Sequence, residues 1–398
     1  MANENLGAAK KAKFDEFYTQ YHDIEKEMNA YLDYNKDVFR DKTVLLPCDD
    51  PEWSNFTKYF AQNFERLGLK KLISTSYAPD SKPTELNLQL SLFETQSPKF
   101  DKAKARANGK IYSLTRDKTG DTKINFEHLE WEYLKGDGDF RSDEVTAIRD
   151  EADIVVTNPP FSLFREFLGW AMAQDKKLVI LGNMNAITYK EVFPLIKEKQ
   201  LWLGPSISSG DREFRVPDSY PLNAAGWRVD EQGQKFLRIK GIRWFTNLDH
   251  GRRHEPLTLM TEGDNIKFSK HKEVKDIGYK QYDNYDAIEV PFTDAIPSDF
   301  KGVMGVPITF LDKYNPDQFE ILGATQRGCH DLVPDTKKYD DYWEVKPGGE
   351  PTGSSGGKTN ENANLEGNDG KKNYFINKSG HVVQSAYQRI FIRHREAA

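Results

Sequence analysis

The sequence predicts an α/β protein: a doubly wound, mostly parallel sheet over residues 1–250, then an irregular α+β region over 251–398. Two patterns carry this expectation. Short, continuously apolar runs, of the kind buried on both faces of a parallel sheet, alternate with amphipathic helical stretches through the first 250 residues. Beyond that point the alternation stops, and short β-like runs sit among long polar connections. Length agrees, because 398 residues exceed the roughly 250–300 at which a single core stops growing.

Each element has its own signature. Phe14, Phe17, Tyr18, Tyr21, Ile24, Met28 and Leu32 recur at three- and four-residue steps, which predicts an opening helix. Thr43–Leu46 is a buried-strand run. In the following Pro47-Cys48-Asp49-Asp50-Pro51, Asp50 reads as an N-cap with Pro51 at the first helical position. That helix continues through Phe56, Tyr59, Phe60, Phe64 and Leu67 and stops at Gly68. Lys71–Thr75 is the next strand and completes a strand–helix–strand unit. Residues 79–130 are less regular and read as a hairpin-bearing excursion.

Regularity returns with the strand Asp153–Thr157, which runs into Asn158-Pro159-Pro160-Phe161. A helix follows, with Leu163, Phe164, Phe167, Leu168, Ala171 and Met172 on one face, and Leu178–Gly182 is another apolar strand. Shorter strand-like pieces lie at 201–203 and 238–247. In the second region, 305–311, 319–322 and 387–392 are β-like. Residues 347–372 collapse to Gly, Asn, Ser, Glu and Lys, which predicts a flexible loop.

Composition removes whole classes of function. Hydrophobic residues at 37% and aromatics at 12% exclude a wholly disordered chain. No apolar run approaches the roughly 18 residues a bilayer span needs, so no membrane association is expected. The first residues carry lysines with no apolar stretch behind them, unlike a signal peptide. Two cysteines, Cys48 and Cys329, make no disulfide framework and no zinc knuckle, so a reducing cytoplasmic setting is expected. The net charge of −6 argues against indiscriminate coating of nucleic acid. Locally the balance reverses: residues 235–275 hold ten Lys/Arg against five Asp/Glu, and 371–398 hold six against one. Two basic stretches in an acidic chain suit a nucleic-acid partner.

The most specific signal is Asn158-Pro159-Pro160-Phe161 at the end of an apolar strand, where open α/β sheets place their ligands. These residues suit the presentation of an amino nitrogen for methylation. The exocyclic amine of adenine is a poor nucleophile, since its lone pair is delocalised into the ring. An Asn oxygen and a neighbouring backbone carbonyl can accept both amine protons and draw the nitrogen toward tetrahedral geometry. Prolines stiffen the turn and donate no N–H, and the aromatic ring can stack on the base. No strong base is needed when the leaving group is a neutral thioether, so orientation and placed dipoles do most of the catalysis. His250 and His254 have helical spacing but no third ligand nearby, so no metal site is expected. Cys48 has no His or Lys partner in the local sequence to make it a nucleophile.

Asn158-Pro159-Pro160-Phe161 resembles motif IV of the S-adenosylmethionine-dependent amino-methyltransferases. Phe17-Tyr18-Thr19 resembles motif X, near the methionine end of that cofactor, and Thr43–Asp50 occupies the place of motif I. Gly138-Asp139-Phe140 resembles motif III, where acid and aromatic contact the cofactor's adenine. The order X, I, III, IV resembles the gamma arrangement of adenine-N6 DNA methyltransferases. More narrowly, Pro47–Pro51 with Ser54-Asn55-Phe56, and the late Gly305–Leu311 segment, resemble the adenine-specific family typified by the EcoRI modification enzyme.

The resemblance implies a site-specific DNA adenine-N6 methyltransferase that moves a methyl group from S-adenosylmethionine to a flipped adenine in double-stranded DNA. It implies Asn158, Pro159, Pro160 and Phe161 as catalytic, and Phe17, Tyr18, Cys48, Asp49, Asp50, Asp139, Phe140 and Asn158 as cofactor-binding. Motif I here lacks glycine, and the second strand ends in Ser74-Thr75-Ser76-Tyr77 without an acid. The ribose-binding carboxylate then falls to Asp49 or Asp50, unless Asp50 only caps its helix; Asp137 reads as a turn residue. Residues 1–250 would be the catalytic domain and 251–398 the target-recognition region, with Arg252, Arg253, Lys267, Lys270, Arg389 and Arg393 as DNA contacts. A monomer is expected, with room for a cognate restriction endonuclease acting at the same site and no stable complex implied. Two other readings stay open from sequence: methylation of another amine, in an RNA base or a protein glutamine amide, and a DNA-binding protein that has lost cofactor affinity.

Overall fold

The structure, a computed structural model, describes residues 17–48, 54–78, 97–116, 130–217, 220, 226–325, 333 and 335–395. The chain divides into two compact units. Met1–Ala186 with Trp202–Gly251 make the first, and Ile187–Leu201 with Arg252–Ala398 the second.

The chain runs through β1 (Tyr18–Thr19), α1 (Tyr21–Tyr34), β2 (Thr43–Leu46), α2 (Asn55–Gln62), α3 (Phe64–Leu67) and β3 (Lys71–Ser76). Next come α4 (Lys104–Ala107), β4 (Lys110–Thr115), β5 (Glu130–Tyr133), α5 (Asp143–Glu151) and β6 (Ile154–Thr157). A short 3-10 turn, Phe161–Leu163, leads into α6 (Phe164–Met172) and β7 (Lys177–Asn183). After α7 (Phe193–Lys197), which belongs to the second unit, the first unit resumes with β8 (Trp202–Leu203), β9 (Asp211–Val216), β10 (Trp227–Val229), β11 (Lys235–Lys240) and β12 (Ile242–Thr246).

Among the described residues, eight strands of the first unit form one sheet in the order β5-β4-β3-β2-β6-β7-β12-β8. Its centre, β3-β2-β6-β7, is parallel, and its remaining ladders are antiparallel. The sheet is therefore mixed where the sequence predicts mostly parallel. The 79–130 excursion supplies one antiparallel edge through β4 and β5, and β12 returns antiparallel beside β7. Val44, Leu45, Leu46, Val155, Val156, Leu178, Val179 and Ile180 are fully buried, as continuous apolar runs require of strands covered on both faces.

A second sheet, β1-β9-β11-β10, is antiparallel throughout. It corrects the opening helix: Tyr18 and Thr19 are extended and pair with Arg215 and Phe214, and the helix starts at Tyr21. Phe14 lies outside the described residues. The 238–247 run is two strands in different sheets: Gly241, at φ +71°, passes the chain from β11 beside β9 to β12 beside β7. The helix after β2 begins at Asn55, where Ser54 Oγ accepts from the N–H groups of Phe56 and Thr57. Asp49, Asp50 and Pro51 lie outside the described residues. Gly68 ends α3 in the left-handed conformation, φ +64°.

In the second unit, after α7, come α8 (Glu262–Phe268), β13 (Ile288–Glu289), β14 (Met304–Pro307), β15 (Phe319–Ala324), β16 (Tyr342–Val345) and β17 (Pro351–Ser355). The chain finishes with β18 (Asn364–Glu366), β19 (Tyr374–Asn377), β20 (Val382–Ser385) and β21 (Arg389–His394). Two sheets result, β13-β14-β21-β15 and β17-β16-β19-β20-β18. The 347–372 stretch, expected as a flexible loop, holds β17, a 3-10 turn and β18. In β17 the residues alternate between exposed and half-buried positions, while Thr359, Ala363 and Asn364 are buried. No helix among the described residues is long and apolar enough to cross a membrane.

Candidate active site

Ligands of open α/β sheets bind outside the carboxyl ends of the strands, where the winding reverses. Here the chain winds from β2 to β3 on one side and later returns to β6 on the other side of β2. The reversal therefore lies between β2 and β6, and its mouth is made by Pro47-Cys48 and Asn158–Phe161. Thr75 in β3 donates its hydroxyl to the Pro47 carbonyl, 3.1 Å, and Ser74 meets Thr57 of α2 at 3.1 Å. The hydroxyls that end β3 in place of an acid thus hold the loop after β2 and the helix beyond it.

Asn158 is the first residue past β6. Its Nδ2 donates to the Phe17 carbonyl, 2.6 Å, while its Oδ1 is buried with no hydrogen-bond partner among the described residues. A buried acceptor left unpaired costs about 1–3 kcal/mol, so such an atom in a well-packed site points to a ligand donor. Thr19 Oγ1, two residues from the Phe17 carbonyl, is likewise buried and unpaired among the described residues. Asn55, at the start of α2, donates to the Thr19 carbonyl, 2.7 Å. Pro159 is buried, and the Pro160 carbonyl accepts from Leu163 N–H, 2.9 Å, to open the 3-10 turn.

Four aromatic rings surround the turn. Phe161 lies 5.5 Å from Phe17 and 6.4 Å from Phe214, and Phe17 also meets Phe214 at 6.0 Å and Tyr220 at 6.1 Å. Phe161 is half-buried and Phe17 buried. Phe214, Tyr220, Asn55 and Thr19 were not singled out as site residues from sequence. Phe214 reaches the site through the second sheet, whose pairing with β1 spans almost 200 positions and leaves no local pattern, and Tyr220 meets Phe17 from beyond the end of β9. Asn55 and Thr19 carried only their place in the motif resemblances.

The structure places the other sequence-predicted residues as follows. Tyr18 is in β1, half-buried, and Cys48 is half-buried just past β2. Gly138 (φ +83°) brings the Gly138-Asp139-Phe140 loop against the carboxyl end of β3; a Cβ there would lie 2.2 Å from the Ser76 carbonyl oxygen. Asp137 makes the expected turn, its carboxylate accepting from Asp139 N–H at 3.1 Å. Asp139 grips Arg141 with both oxygens, at 2.9 and 2.5 Å, and that side-chain hydrogen bond is the chief cause holding its carboxyl below the usual range. Phe140 is buried and packs edge-on against Phe167 and Trp170.

Of the expected DNA contacts, Lys267 is exposed in the last turn of α8, and Lys270 is exposed and paired with Asp294 at 2.8 Å. Arg393 is half-exposed and pairs with Glu320, 2.9 Å. Arg252 and Arg253 are half-buried in a 3-10 turn, and both are engaged by other groups. Arg389 is corrected: only 8% exposed, it clasps the buried Glu289 carboxylate, which also accepts from Tyr282. It is an internal ion pair and has no surface to offer a phosphate. His250 is buried with Nε2 3.0 Å from the Leu203 carbonyl. No cluster of three or more metal-binding side chains occurs among the described residues.

A mixed sheet with a parallel centre, and an Asn-Pro-Pro-Phe turn at its winding reversal, define the class: an α/β core of the methyltransferase kind. The chain belongs to the family described as "Adenine-specific methyltransferase EcoRI", whose profile matches residues 5–395, and it is an adenine-specific DNA methyltransferase. It is 45% identical over 320 residues, 80% of its length and 89% of the relative's, to the Type II methyltransferase M.EcoRI of Escherichia coli. It is 35% identical to the Type II methyltransferase M.MpnI of Mycoplasma pneumoniae, over 79% of this chain and 83% of that one. With M.MgeORF184P of Mycoplasma genitalium the identity is 37%, over 80% and 85%. No solved structure matches the chain.

Proposed function

We propose that the chain methylates the N6 amine of an adenine rotated out of duplex DNA, with S-adenosylmethionine as donor and Asn158 presenting the amine. The observation that carries this reading is the buried Oδ1 of Asn158, without a hydrogen-bond partner among the described residues, at the winding reversal of the sheet. An amide oxygen accepts from N–H donors, and an exocyclic amine supplies one. S-adenosylmethionine would supply an activated methyl group whose departure leaves a neutral thioether. Phe17, Tyr18, Thr19 and Cys48 are the residues at the mouth that would hold it, and the Thr19 hydroxyl, buried without a partner among the described residues, fits a polar ligand.

Asn158 Oδ1 accepts one amine proton. The Pro160 carbonyl is taken by Leu163, so the second acceptor is assigned to the Pro159 carbonyl. Together they hold the nitrogen with its lone pair freed from the ring. Phe161, half-buried between Phe17 and solvent, offers a face to the base. Extrahelical capture is required because an amine inside a duplex cannot reach a donor at a sheet edge. Lys267, Lys270, Arg252, Arg253 and Arg393 of the second unit are proposed to meet the phosphates and base edges; Arg389, buried against Glu289, does not.

The test is single-turnover methyl transfer to a duplex, with the product identified by base analysis. Asn158→Ala should cut the rate by about a hundredfold or more while the labelled donor binds as before. A variant rate within about tenfold of the parent, or a product other than N6-methyladenine, would sink the assignment.

A further inference from the structure

An Asn side chain has two nearly isosteric ends of opposite hydrogen-bonding character, and its neighbours decide which end faces a ligand. At Asn158 the choice matters. With Oδ1 toward the substrate the amine finds an acceptor, whereas the flipped amide would set two donors against each other. The selector here is the Phe17 carbonyl: an acceptor 2.6 Å from Nδ2, it would repel Oδ1 if the amide turned over.

That carbonyl belongs to the backbone, so no side-chain change removes it. Its position depends on what holds Phe17-Tyr18-Thr19. β1 is two residues long and sits at the edge of its sheet, with β9 on one side only. Carbonyls two residues apart in an extended strand point the same way. Those of Phe17 and Thr19 are both taken by asparagine amides, Asn158 after β6 and Asn55 at the start of α2. Asn55 therefore does for this segment what a neighbouring strand would do, from the helix that follows β2, across the winding reversal from β6.

We propose that Asn55 is a positioning residue for methyl transfer: by fixing the Thr19 carbonyl it fixes the Phe17 carbonyl, which in turn orients the Asn158 amide with Oδ1 toward the target amine. It touches no substrate and acts only through Asn158. This inference rests on the reading of Asn158 given above.

The test is a double-variant cycle on the full-length enzyme, read by single-turnover transfer, with duplex affinity and thermal unfolding measured alongside. Asn55→Ala should slow transfer by about tenfold or more in the parent, yet by less than about twofold when Asn158 is already Ala, because nothing is left to orient. Duplex affinity should stay within about twofold, which separates orientation from binding. Asn55→Asp, of the same shape but without donors, should lose as much as Asn55→Ala; it carries the same cycle if Asn55→Ala does not fold. Equal losses in both backgrounds, or no loss in the parent, would overturn the role of Asn55 and leave that of Asn158 standing. A fully active Asn158→Ala would overturn both.

Discussion

At the scale of single residues, the site is distinguished by which polar atoms are satisfied. Asn158 donates to Phe17 and keeps a buried acceptor without a partner among the described residues, while the Asp139 carboxylate is taken by Arg141 and Arg389 is shared between Glu289 and the Tyr387 and Gln388 carbonyls. Opposite outcomes follow for substitutions of Phe161 and Arg389. Phe161 packs on Phe17 and Phe214 but keeps part of its ring exposed, so it can serve a stacked base. Base–aromatic stacking is worth about 1–3 kcal/mol, so Phe161→Ala should slow transfer roughly tenfold or more, and Phe161→Trp much less. Single-turnover transfer to an adenine-containing duplex checks this, with 2-aminopurine fluorescence in a parallel duplex reporting capture of the base; equal losses would make the ring a core residue only. Arg389→Ala leaves Glu289 charged and buried without its partner, which costs about 3–5 kcal/mol. Denaturant unfolding should show that loss, and the DNA affinity of the remaining folded protein should not change.

Elements were legible in the sequence where their information is local. β2, β3, β6 and β7 announce themselves as apolar runs because both faces are covered, and Gly68 marks a helix end because the chain there needs positive φ. Asn158–Phe161 could be read for the same reason: the motif and the strand that places it are contiguous. What stayed hidden depends on distant partners. Phe17 and Tyr18 fit a helical period, and only pairing with β9 makes the segment extended. Arg389 looks like a surface cation until Glu289, a hundred positions earlier, is brought against it. Polar residues at 351–366 gave no hint of strands that gain their order from ladders rather than apolar burial. One prediction belongs to this scale. The Gly138 loop abuts the end of β3 so closely that Gly138→Ala must both adopt a disfavoured φ and displace the Ser76 carbonyl. Its destabilisation should exceed the about 1–2 kcal/mol of left-handed backbone alone. A thermal shift no larger than that of Gly169→Ala, at a helical position with no heavy atom within 4 Å of its Cβ, would contradict the close approach.

For the whole molecule, the question is how a chain of net charge −6 holds a polyanion. Affinity for DNA follows local fields, and each phosphate neutralised releases counterions, so the slope of log affinity against log salt counts the contacts. In the second unit, Lys267 is exposed with no ion-pair partner among the described residues, while Lys270 shares Asp294 with His271. Lys267→Ala should therefore reduce the salt slope by about one on cognate and non-cognate duplexes alike. Lys270→Ala should do less, because its charge is already partly answered by Asp294. Arg389→Ala, buried and paired, should leave the slope untouched. Fluorescence anisotropy over a salt series measures all three. If the lysine changes also left it untouched, the phosphate contacts would have to be sought in the first unit. Basic side chains gather there on β9, β10 and β11, where the strands carry Arg212, Arg215, Arg228, Lys235, Arg238 and Lys240 against Asp211 and Glu213, and Arg212 also lies 3.7 Å from Asp23. Neutralising the basic side chains of that sheet together should then reduce the slope, and DNA would be held by the sheet that carries Phe214 to the active site.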